Sequence, residues 1–446
     1  TPAPDKSADF RNGLRSKRNT EYPMPVTRKV FYGWYIVAAS VGLNFYLSVV
    51  FGLGFNVFFL PILHEFGWTR ALTSGAFSLR QLESGVLAPL IGVMVDRWGP
   101  RIVILLSVML GGAGMVMMGY IDSLWTFYLA VLIASLGMNG AGHGITWAAA
   151  VANWFHRLRG RALGIAMLGP VVGGPFVVIV AIMEGWLGWR ISMVVMGIGL
   201  LIGGVPLALV ARSRPEPYGY LPDGATPEEA DRSEADVRGL ALEGASNGLT
   251  VAQAVHTRDF WVLTSLFSFM FVGINGLMVH LIPLLEDMNY SSAQAASILG
   301  LMFLFSGIGR IGTGVLADMV DFRIVMFGLI ACQIVGLLML SIIGPSDIWL
   351  IGLFALLFGI GFGGIIPLGP FLIMRLFGAR AFGSLQGLVQ GGAAVAGMLG
   401  PVYYGWVFDT TGSYDQAIYV TLATVMPAIP LTYMLRRPQS IARSVG

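Results

Sequence analysis

The chain has 446 residues, of which 56% are hydrophobic and only 11% are charged, and its net charge is +3. A soluble globular protein carries about 25% charged residues, so this chain lacks the polar surface that water requires. Its single cysteine, Cys332, excludes an internal disulfide and a cysteine-based metal cluster. The composition predicts an integral membrane protein.

Twelve apolar stretches follow a polar N-terminal tail, and each is long enough to cross about 30 Å of hydrocarbon. In chain order they lie near 31–62, 70–95, 102–120, 124–152, 161–184, 190–211, 260–284, 292–317, 323–343, 348–374, 381–406 and 415–435. We therefore predict an all-α membrane protein with twelve transmembrane helices. The predicted units are a basic tail at 1–29, a six-helix half at 30–211, a polar central loop at 212–258, a second six-helix half at 259–436 and a C-terminal tail at 437–446.

The basic residues predict the orientation. With both termini in the cytoplasm, all but four of the 27 Lys and Arg residues fall on the cytoplasmic side. The exceptions are Arg70 and Arg190 on the outer side, and Arg80 and Arg310 inside predicted helices. Because loops rich in Lys and Arg stay in the cytoplasm, we expect a multi-pass protein of the cell membrane (inner or plasma) with both termini cytoplasmic.

An internal repeat relates the two halves. A shift of 222 positions aligns residues 54–103 with 276–325 without a gap, so that Pro61 meets Pro283 and Asp96 meets Asp318. A shift across six helices preserves their direction through the membrane, and the halves are therefore predicted to be parallel repeats. In transporters built from such repeats, the substrate site lies between the halves near the midplane.

The segment GVMVDRWGPR (92–101) resembles the signature loop between helices 2 and 3 of the major facilitator superfamily. The resemblance covers essentially the whole chain and implies a transport function and the twelve-helix fold. It also implies that this loop has a gating role, in which Gly92 permits close helix approach and Asp96 faces a helix N-terminus. The alternative is that the basic residues are simple topology anchors. The matching residues in the two copies of the loop are Gly92, Asp96, Arg97, Gly99 and Arg101, then Gly314, Asp318 and Arg323.

Within that superfamily, several segments are similar to the branch of monocarboxylate porters and oxalate/formate antiporters. These segments are FYGWYIV (31–37), NWFHRLRGRALGIAMLGPVVGG (153–174), RPEPYGYLPDG (214–224), VHLIPLLEDMNYS (279–291) and GRIGTGVLAD with Arg310. The branch carries an arginine at this place in helix 8, which implies that Arg310 binds a carboxylate. Two features of the branch are missing, because Ser306 replaces an acid and Ala393 lies near the place of a helix 11 lysine.

Arg310 is the first candidate for a substrate contact. It has no acidic residue within seven positions and is predicted at mid-depth. A charge there is costly unless a partner or a cavity receives it, and a guanidinium can hold a carboxylate through two hydrogen bonds. The alternative is a structural arginine that binds carbonyls of neighbouring helices.

Other polar residues in predicted helices are candidates for coupling or binding. Arg80 and Glu83 stand three residues apart and are expected to pair, either as a structural pair or with Glu83 as a proton carrier when the pair opens. His143 is predicted as a proton carrier or pocket wall, with simple packing as the alternative. His280 is expected to cap or gate the outer end of helix 7. Neutral substrate contacts are expected from Asn44, Asn139, Asn275, Gln386 and Gln390.

These features predict a secondary transporter of small organic anions, most of all monocarboxylates, that works by alternating access. Symport with protons and antiport both stay open. The alternatives are a carrier of a neutral or cationic solute and a carboxylate sensor that does not transport. The sequence has no phosphate-binding loop and no cluster with metal-ligand spacing, so we expect no enzyme activity, cofactor, metal or nucleic-acid partner. The expected partners are the carboxylate and the lipid bilayer, with a monomer as the functional unit.

Overall fold

The computed structural model describes residues 31–142, 145–155, 158–224, 248–344, 347–378 and 380–435. Within these residues the chain is helical, and the only β pairing is an isolated bridge between Gly248 and Gly378. The twelve predicted helices are confirmed in number and order. Their bounds are α1 Tyr32–Phe66, α2 Arg70–Trp98, α3 Pro100–Met118, α4 Leu124–Trp154, α5 159–187, α6 189–210, α7 Arg258–Asp287, α8 Ser292–Met319, α9 Phe322–Leu340, α10 Ile348–Phe377, α11 382–411 and α12 Asp415–Met434.

Nine stretches of the described chain are long and apolar enough to span a membrane. One of them, Arg161–Val210, contains both α5 and α6, because Gly188 has a φ of 75° that breaks the helix between them. Helix α2 is less apolar than these nine because its middle carries Arg80, Gln81 and Glu83. Helix α11 divides at Met398 into two shorter helices. Together these account for twelve crossings.

The helix ends follow from short polar caps and from glycine. The Thr69 hydroxyl accepts from the backbone N–H of Leu72 at the start of α2, and Ser291 caps α8 in a capping box with Gln294. Helices α2 and α3 are separated only by Gly99, whose φ of 80° ends one helix before the next begins at Pro100. A Cβ at Gly99 would also lie 2.6 Å from Ser213 Oγ. The signature loop is therefore a tight turn that requires this glycine.

Helix α1 is irregular at mid-depth. A π-helical segment, Ser48–Leu53, is followed by the 3₁₀ segment Gly54–Phe58 before the α-helix resumes. Such segments inside α-helices are frequent at functional sites. Asn56 Nδ2 donates to the carbonyl of Met278 at 3.1 Å. These two residues are equivalent in the internal repeat, so the pseudo-two-fold axis between the halves passes close to this contact.

The two ends of the molecule differ in charge. We call the face on which α2 ends and α3 begins, with Arg97 and Arg101, the basic face. The face on which α2 begins at Arg70 is the opposite face. Tyr32 and Leu435, the first residue of α1 and the last described residue, both lie at the basic face. The cytoplasmic side and the predicted bounds of the tails and halves are not tested by this structure and stay predictions.

Glycines bring the halves together toward the opposite face. A Cβ on Gly300 of α8 would lie 2.4 Å from the carbonyl oxygen of Gly174 in α5. On the other side of the pseudo-two-fold axis, a Cβ on Gly405 of α11 would lie 2.6 Å from the backbone nitrogen of Ala71 in α2. Larger side chains would hold these backbones apart, so these glycines permit the seam between the halves to close.

Candidate functional site

An ion-pair cluster joins the halves at the opposite face. Arg70 donates from Nη1 to Asp287 Oδ2 at 2.6 Å and from Nη2 to Asp287 Oδ1 at 2.9 Å, and Nη1 also reaches the Tyr414 hydroxyl at 2.6 Å. The Asp409 carboxylate accepts from the backbone N–H groups of Arg70 and Ala71, each at 2.9 Å. An acid of one half thus caps the first turn of α2 in the other. We call Arg70, Asp287, Asp409 and Tyr414 the latch.

A buried histidine lies directly beneath the latch. His280 is fully buried, and its Nε2 lies 2.9 Å from the carbonyl of Pro401 and 2.8 Å from Ser74 Oγ. Because a carbonyl only accepts, Nε2 carries the proton, and Nδ1 accepts from the Tyr414 hydroxyl at 2.9 Å. Ser74 in turn donates to the carbonyl of Arg70 at 2.6 Å. The predicted gating role of His280 stays a prediction, but the residue lies inside the closed seam.

All hydrogen bonds between the halves lie toward the opposite face in the described part of the chain. Besides the latch and His280, they join Asn56 to the carbonyl of Met278 at 3.1 Å and Ser78 Oγ to the carbonyl of Met398 at 2.5 Å. Among the described residues, the hydrogen bonds therefore fasten the halves at this face.

Two cavities follow one another along the seam. The one nearer the latch, which we call the inner chamber, has a volume of about 180 Å³, and the wide cavity nearer the basic face has about 430 Å³. Gln81 lines both. The inner chamber is further lined by Gly52, Leu53, Asn56, Phe77, Arg80, Ile274, Asn275, Met278, Val279, Phe303, Phe362, Gly397 and Pro401.

Two residues that line the inner chamber carry hydrogen-bond donors without partners. Arg80 Nη1 and Asn275 Nδ2 are both buried and make no hydrogen bond in the structure. The Arg80 guanidinium carbon lies 5.3 Å from the centre of the Phe51 ring and 6.0 Å from that of Phe77. Cation–π contacts of this length stabilise the charge without using its N–H groups.

The predicted ion pair between Arg80 and Glu83 does not form. Glu83 instead accepts through Oε2 from the Ser135 hydroxyl of α4, and its Oε1 is buried without a partner. The three-residue spacing allows pairing, but Ser135 offers the carboxylate a hydrogen bond on the side of α2 that faces α4. Arg80 therefore makes no direct ion pair with this carboxylate.

The wide cavity is lined by amides and by glycine. Gln386 and Gln390 of α11 lie on its wall, with Gln81 and Ser84 of α2 on the other side. Glycines recur every four residues on α11, at Gly383, Gly387 and Gly391. They do not pack closely against a described helix, since a Cβ at each would meet nothing within 4 Å. Gly387 and Gly391 line the wide cavity, where the absence of a side chain leaves more space.

Arg310 lies outside the lining of both cavities. It is half-buried on α8, and its Nε is buried without a hydrogen-bond partner. Seven residues separate it from Phe303, which lines the inner chamber. Seven residues are about two helical turns, or about 10.5 Å, so Arg310 lies on the same side of α8 as Phe303 but nearer the basic face. Its substrate role stays a prediction.

Only some of the other predicted binding residues line the two cavities. Asn44 lies apart from the central cavities, where its Nδ2 donates to the carbonyl of Ser40 at 2.9 Å. Asn139 accepts from Ser84 Oγ at 2.5 Å and thereby joins α4 to α2. His143 lies outside the described residues. Of the amides singled out in the sequence, Asn275, Gln386 and Gln390 are the ones brought to the two cavities.

The signature-loop residues lie at the basic face. Arg97 is exposed, Arg101 is half-buried on α3, and Arg323 donates to the carbonyl of Leu435. A Cβ on Gly92 would meet nothing within 4 Å, so no described residue makes the expected close helix approach here. Its repeat mate Gly314 is equally open, and Asp96 and Asp318 are placed near the ends of α2 and α8. The gating role of this loop stays a prediction.

Sequence reasoning missed the latch. Arg70 was expected only as an outer-side basic residue, and its partners are 217 or more positions away in the chain. One signal was present, since Glu65 and Asp287 are equivalent in the 222-residue repeat. Glu65 also binds an arginine, Arg190 of its own half, at 2.6 Å. An acid at the same place in both halves marks a position where an ion pair forms.

Comparison with known proteins agrees with this architecture. The sequence profile of the Major Facilitator Superfamily matches residues 35–401. The chain belongs to this superfamily. It is a membrane transporter by family and fold, built from twelve membrane-spanning helices.

Several relatives and solved structures are similar over most of the chain. An uncharacterized MFS-type transporter of Bacillus subtilis, YcxA, is 26% identical over 88% of this chain and 92% of its own. Monocarboxylate transporter 12 of mouse is 26% identical over 86% and 82%, and human monocarboxylate transporter 2 is 26% identical over 89% and 84%. A bacterial homologue of the human lysosomal transporter Spinster, in an inward-facing, occupied conformation, has a TM-score of 0.69 at 16% identity, over 92% of this chain and 98% of its own. That likeness shows the fold alone.

Proposed function

We propose that the protein moves small monocarboxylates across the membrane by alternating access between its two halves. The observation that carries this proposal is the charge of the cavities. Among their described lining residues, Arg80 is the only ionisable side chain, and the other polar groups are amides and one serine hydroxyl. A bound anion offsets the cost of burying that guanidinium, whereas a cation would meet no carboxylate in this lining. The similarity to monocarboxylate transporters supports the same substrate class.

The basic face is proposed to be cytoplasmic, as the distribution of Lys and Arg suggests. The conformation is then the inward-facing one, closed to the outside by the latch and open toward the cytoplasm through the wide cavity. Both tails and the central loop would lie in the cytoplasm, and the membrane would be the inner or plasma membrane.

Arg310 is proposed to receive the carboxylate on its way between the cytoplasm and the inner chamber. Its position on α8, about two turns nearer the basic face than the chamber, fits this role. An Arg310→Lys variant keeps the charge but loses the planar pair of donors. We expect it to raise the concentration of substrate needed for half-maximal uptake, and unchanged affinity would show that Arg310 is not a carboxylate contact.

Glu83 is proposed to couple transport to protons. It lies three residues from Arg80, forms no ion pair within the described residues and accepts a hydrogen bond from the Ser135 hydroxyl. A carboxylate in this position can take up a proton when the anion binds. The positive charge of the proton then offsets the negative charge of the anion in the seam. A Glu83→Gln variant should no longer respond to a pH gradient while substrate counterflow continues. If accumulation in this variant still follows the gradient, Glu83 does not carry the coupling proton.

Purified protein in liposomes tests the function. Labelled lactate, formate and pyruvate should enter or exchange, and uptake should be competed by other monocarboxylates. If none of these acids enters or exchanges, the proposal is wrong, and competition by neutral or cationic solutes would identify the alternative carrier. Binding of lactate without any flux would instead indicate a carboxylate sensor on the same fold.

A further inference from the structure

We propose that the inner chamber is the carboxylate-binding station of the transport cycle, with Arg80 and Asn275 as the two residues that bind the carboxylate. This rests on the proposed function and assigns its site to α2 and α7. Arg80 and Asn275 both line the chamber, and each carries a buried donor without a partner, Arg80 Nη1 and Asn275 Nδ2. Buried N–H groups are nearly always paired in folded proteins, so a ligand that brings acceptor oxygens to this chamber satisfies both.

No carboxylate among the described residues forms an ion pair with Arg80. The Glu83 carboxylate is turned to Ser135, Asp287 is held by both guanidinium nitrogens of Arg70, and the carbonyl of Met278 accepts from Asn56. The amide of Asn275 cannot neutralise a guanidinium. The charge of Arg80 is therefore available to an anion that enters from the wide cavity past Gln81, which lines both spaces.

The walls and volume of the chamber also indicate the polarity, charge and size of the part of the ligand beyond its carboxylate. Away from the two donors its walls are apolar, with Phe77, Phe303, Phe362 and Met278. Arg80 is its only cation among the described lining residues, so a second carboxylate would be buried without a counter-charge. A volume of about 180 Å³ admits only a short chain. The chemistry fits a short monocarboxylate whose hydrocarbon part faces the phenylalanines, and it disfavours a dicarboxylate.

The two donors belong to opposite halves. Arg80 comes from the first half and Asn275 from the second, so one carboxylate that accepts from both joins the halves beneath the latch. Binding is then stronger in the conformation that brings α2 and α7 together. A ligand with such a difference in affinity shifts the equilibrium toward that conformation.

The test measures lactate binding to purified protein in detergent through ligand-induced thermal stabilisation. Transport is measured separately as counterflow in liposomes. We expect Arg80→Gln to weaken lactate binding at least tenfold, Arg80→Lys to retain part of the affinity, and Asn275→Ala to weaken it several-fold. Asn275→Asp should weaken it more than Asn275→Ala, because it places a negative charge against the anion. The matched control is Gln333→Ala, a fully buried amide of the second half outside both cavities, whose lactate affinity should stay at the wild-type value.

The outcomes separate the two proposals. If wild-type protein neither binds nor transports lactate, formate or pyruvate, the proposed function fails and the station with it. If it transports them and Arg80→Gln and Asn275→Ala both bind lactate as tightly as wild type, the station is wrong while the function stands. If Arg80→Gln fails to fold, the two Asn275 variants still test the station. Lactate affinity should be lower in Asn275→Asp than in Asn275→Ala, and equal affinities would show that Asn275 has only a structural role. Succinate that binds as tightly as lactate would also overturn the assignment.

Discussion

The latch allows a quantitative prediction for opening at the opposite face. In Asp287→Asn the side chain keeps its shape but loses the charge that two guanidinium nitrogens of Arg70 bind. The Arg70 side chain is 8% exposed and that of Asp287 is 32% exposed. Removing one partner of a buried charge pair at an interface costs about 2–5 kcal/mol, and the partial exposure of Asp287 places the expected loss near the lower end, about 2 kcal/mol. Because about 1.4 kcal/mol is a factor of ten, the closed conformation should lose about 30-fold in relative population.

Pulsed electron paramagnetic resonance can measure this shift. Spin labels at Tyr120 and Trp349, which are 74% and 90% exposed at the opposite face, report the separation of the halves. Cys332 is first replaced by serine so that only these sites carry labels. We expect Asp287→Asn to add a population with a longer distance between the labels.

A matched control exists within the same chain. Glu65→Gln removes an ion pair with the same N–O distance of 2.6 Å, but Arg190 and Glu65 belong to one half. This control should leave the distance distribution unchanged. An unchanged distribution in Asp287→Asn, or an equal change in both variants, would refute the conclusion that the latch holds the halves together.

Three other substitutions test separate parts of the seam. Gly300→Ala places a Cβ 2.4 Å from a carbonyl oxygen of α5, so it should lengthen the same label distance, whereas Gly312→Ala, with nothing within 4 Å, should not. His280→Phe leaves the carbonyl of Pro401 without its donor and the Tyr414 hydroxyl without its acceptor, while Ser74 still donates to Arg70. Each of the two unmet buried groups costs about 1–3 kcal/mol, and a thermal unfolding midpoint equal to wild type would contradict this. Ser135→Ala releases Glu83 to pair with the neighbouring arginine, so lactate affinity should fall several-fold in binding measurements, and an unchanged affinity would argue against this competition.

The architecture was predictable because the membrane restricts the chain to helices that satisfy their own backbone groups. Hydropathy, loop charge and the 222-residue repeat therefore predicted twelve helices in two parallel halves. Arg80 was recognised as a candidate for the same reason, since a charge in an apolar helix needs a receiving group.

What the sequence could not predict depends on side chains that meet from distant parts of the chain. The spacing of Arg80 and Glu83 favoured a pair, but Ser135, 52 residues further on, takes the carboxylate. Asn44 and Asn275 looked equivalent as amides, yet the rotation of their helices places only Asn275 at a central cavity. Local spacing shows which contacts are possible, while the packing of neighbouring helices decides between them.

The ion pairs at Glu65 and Asp287 have a consequence for the mechanics of the fold. The acids are repeat equivalents, but Glu65 braces its own half through Arg190, while Asp287 reaches across to Arg70. The two ion pairs therefore break the symmetry of the repeat. Opening then breaks one of the two ion pairs and leaves the other intact, so the first half moves as a braced unit while the second half carries the releasable contact.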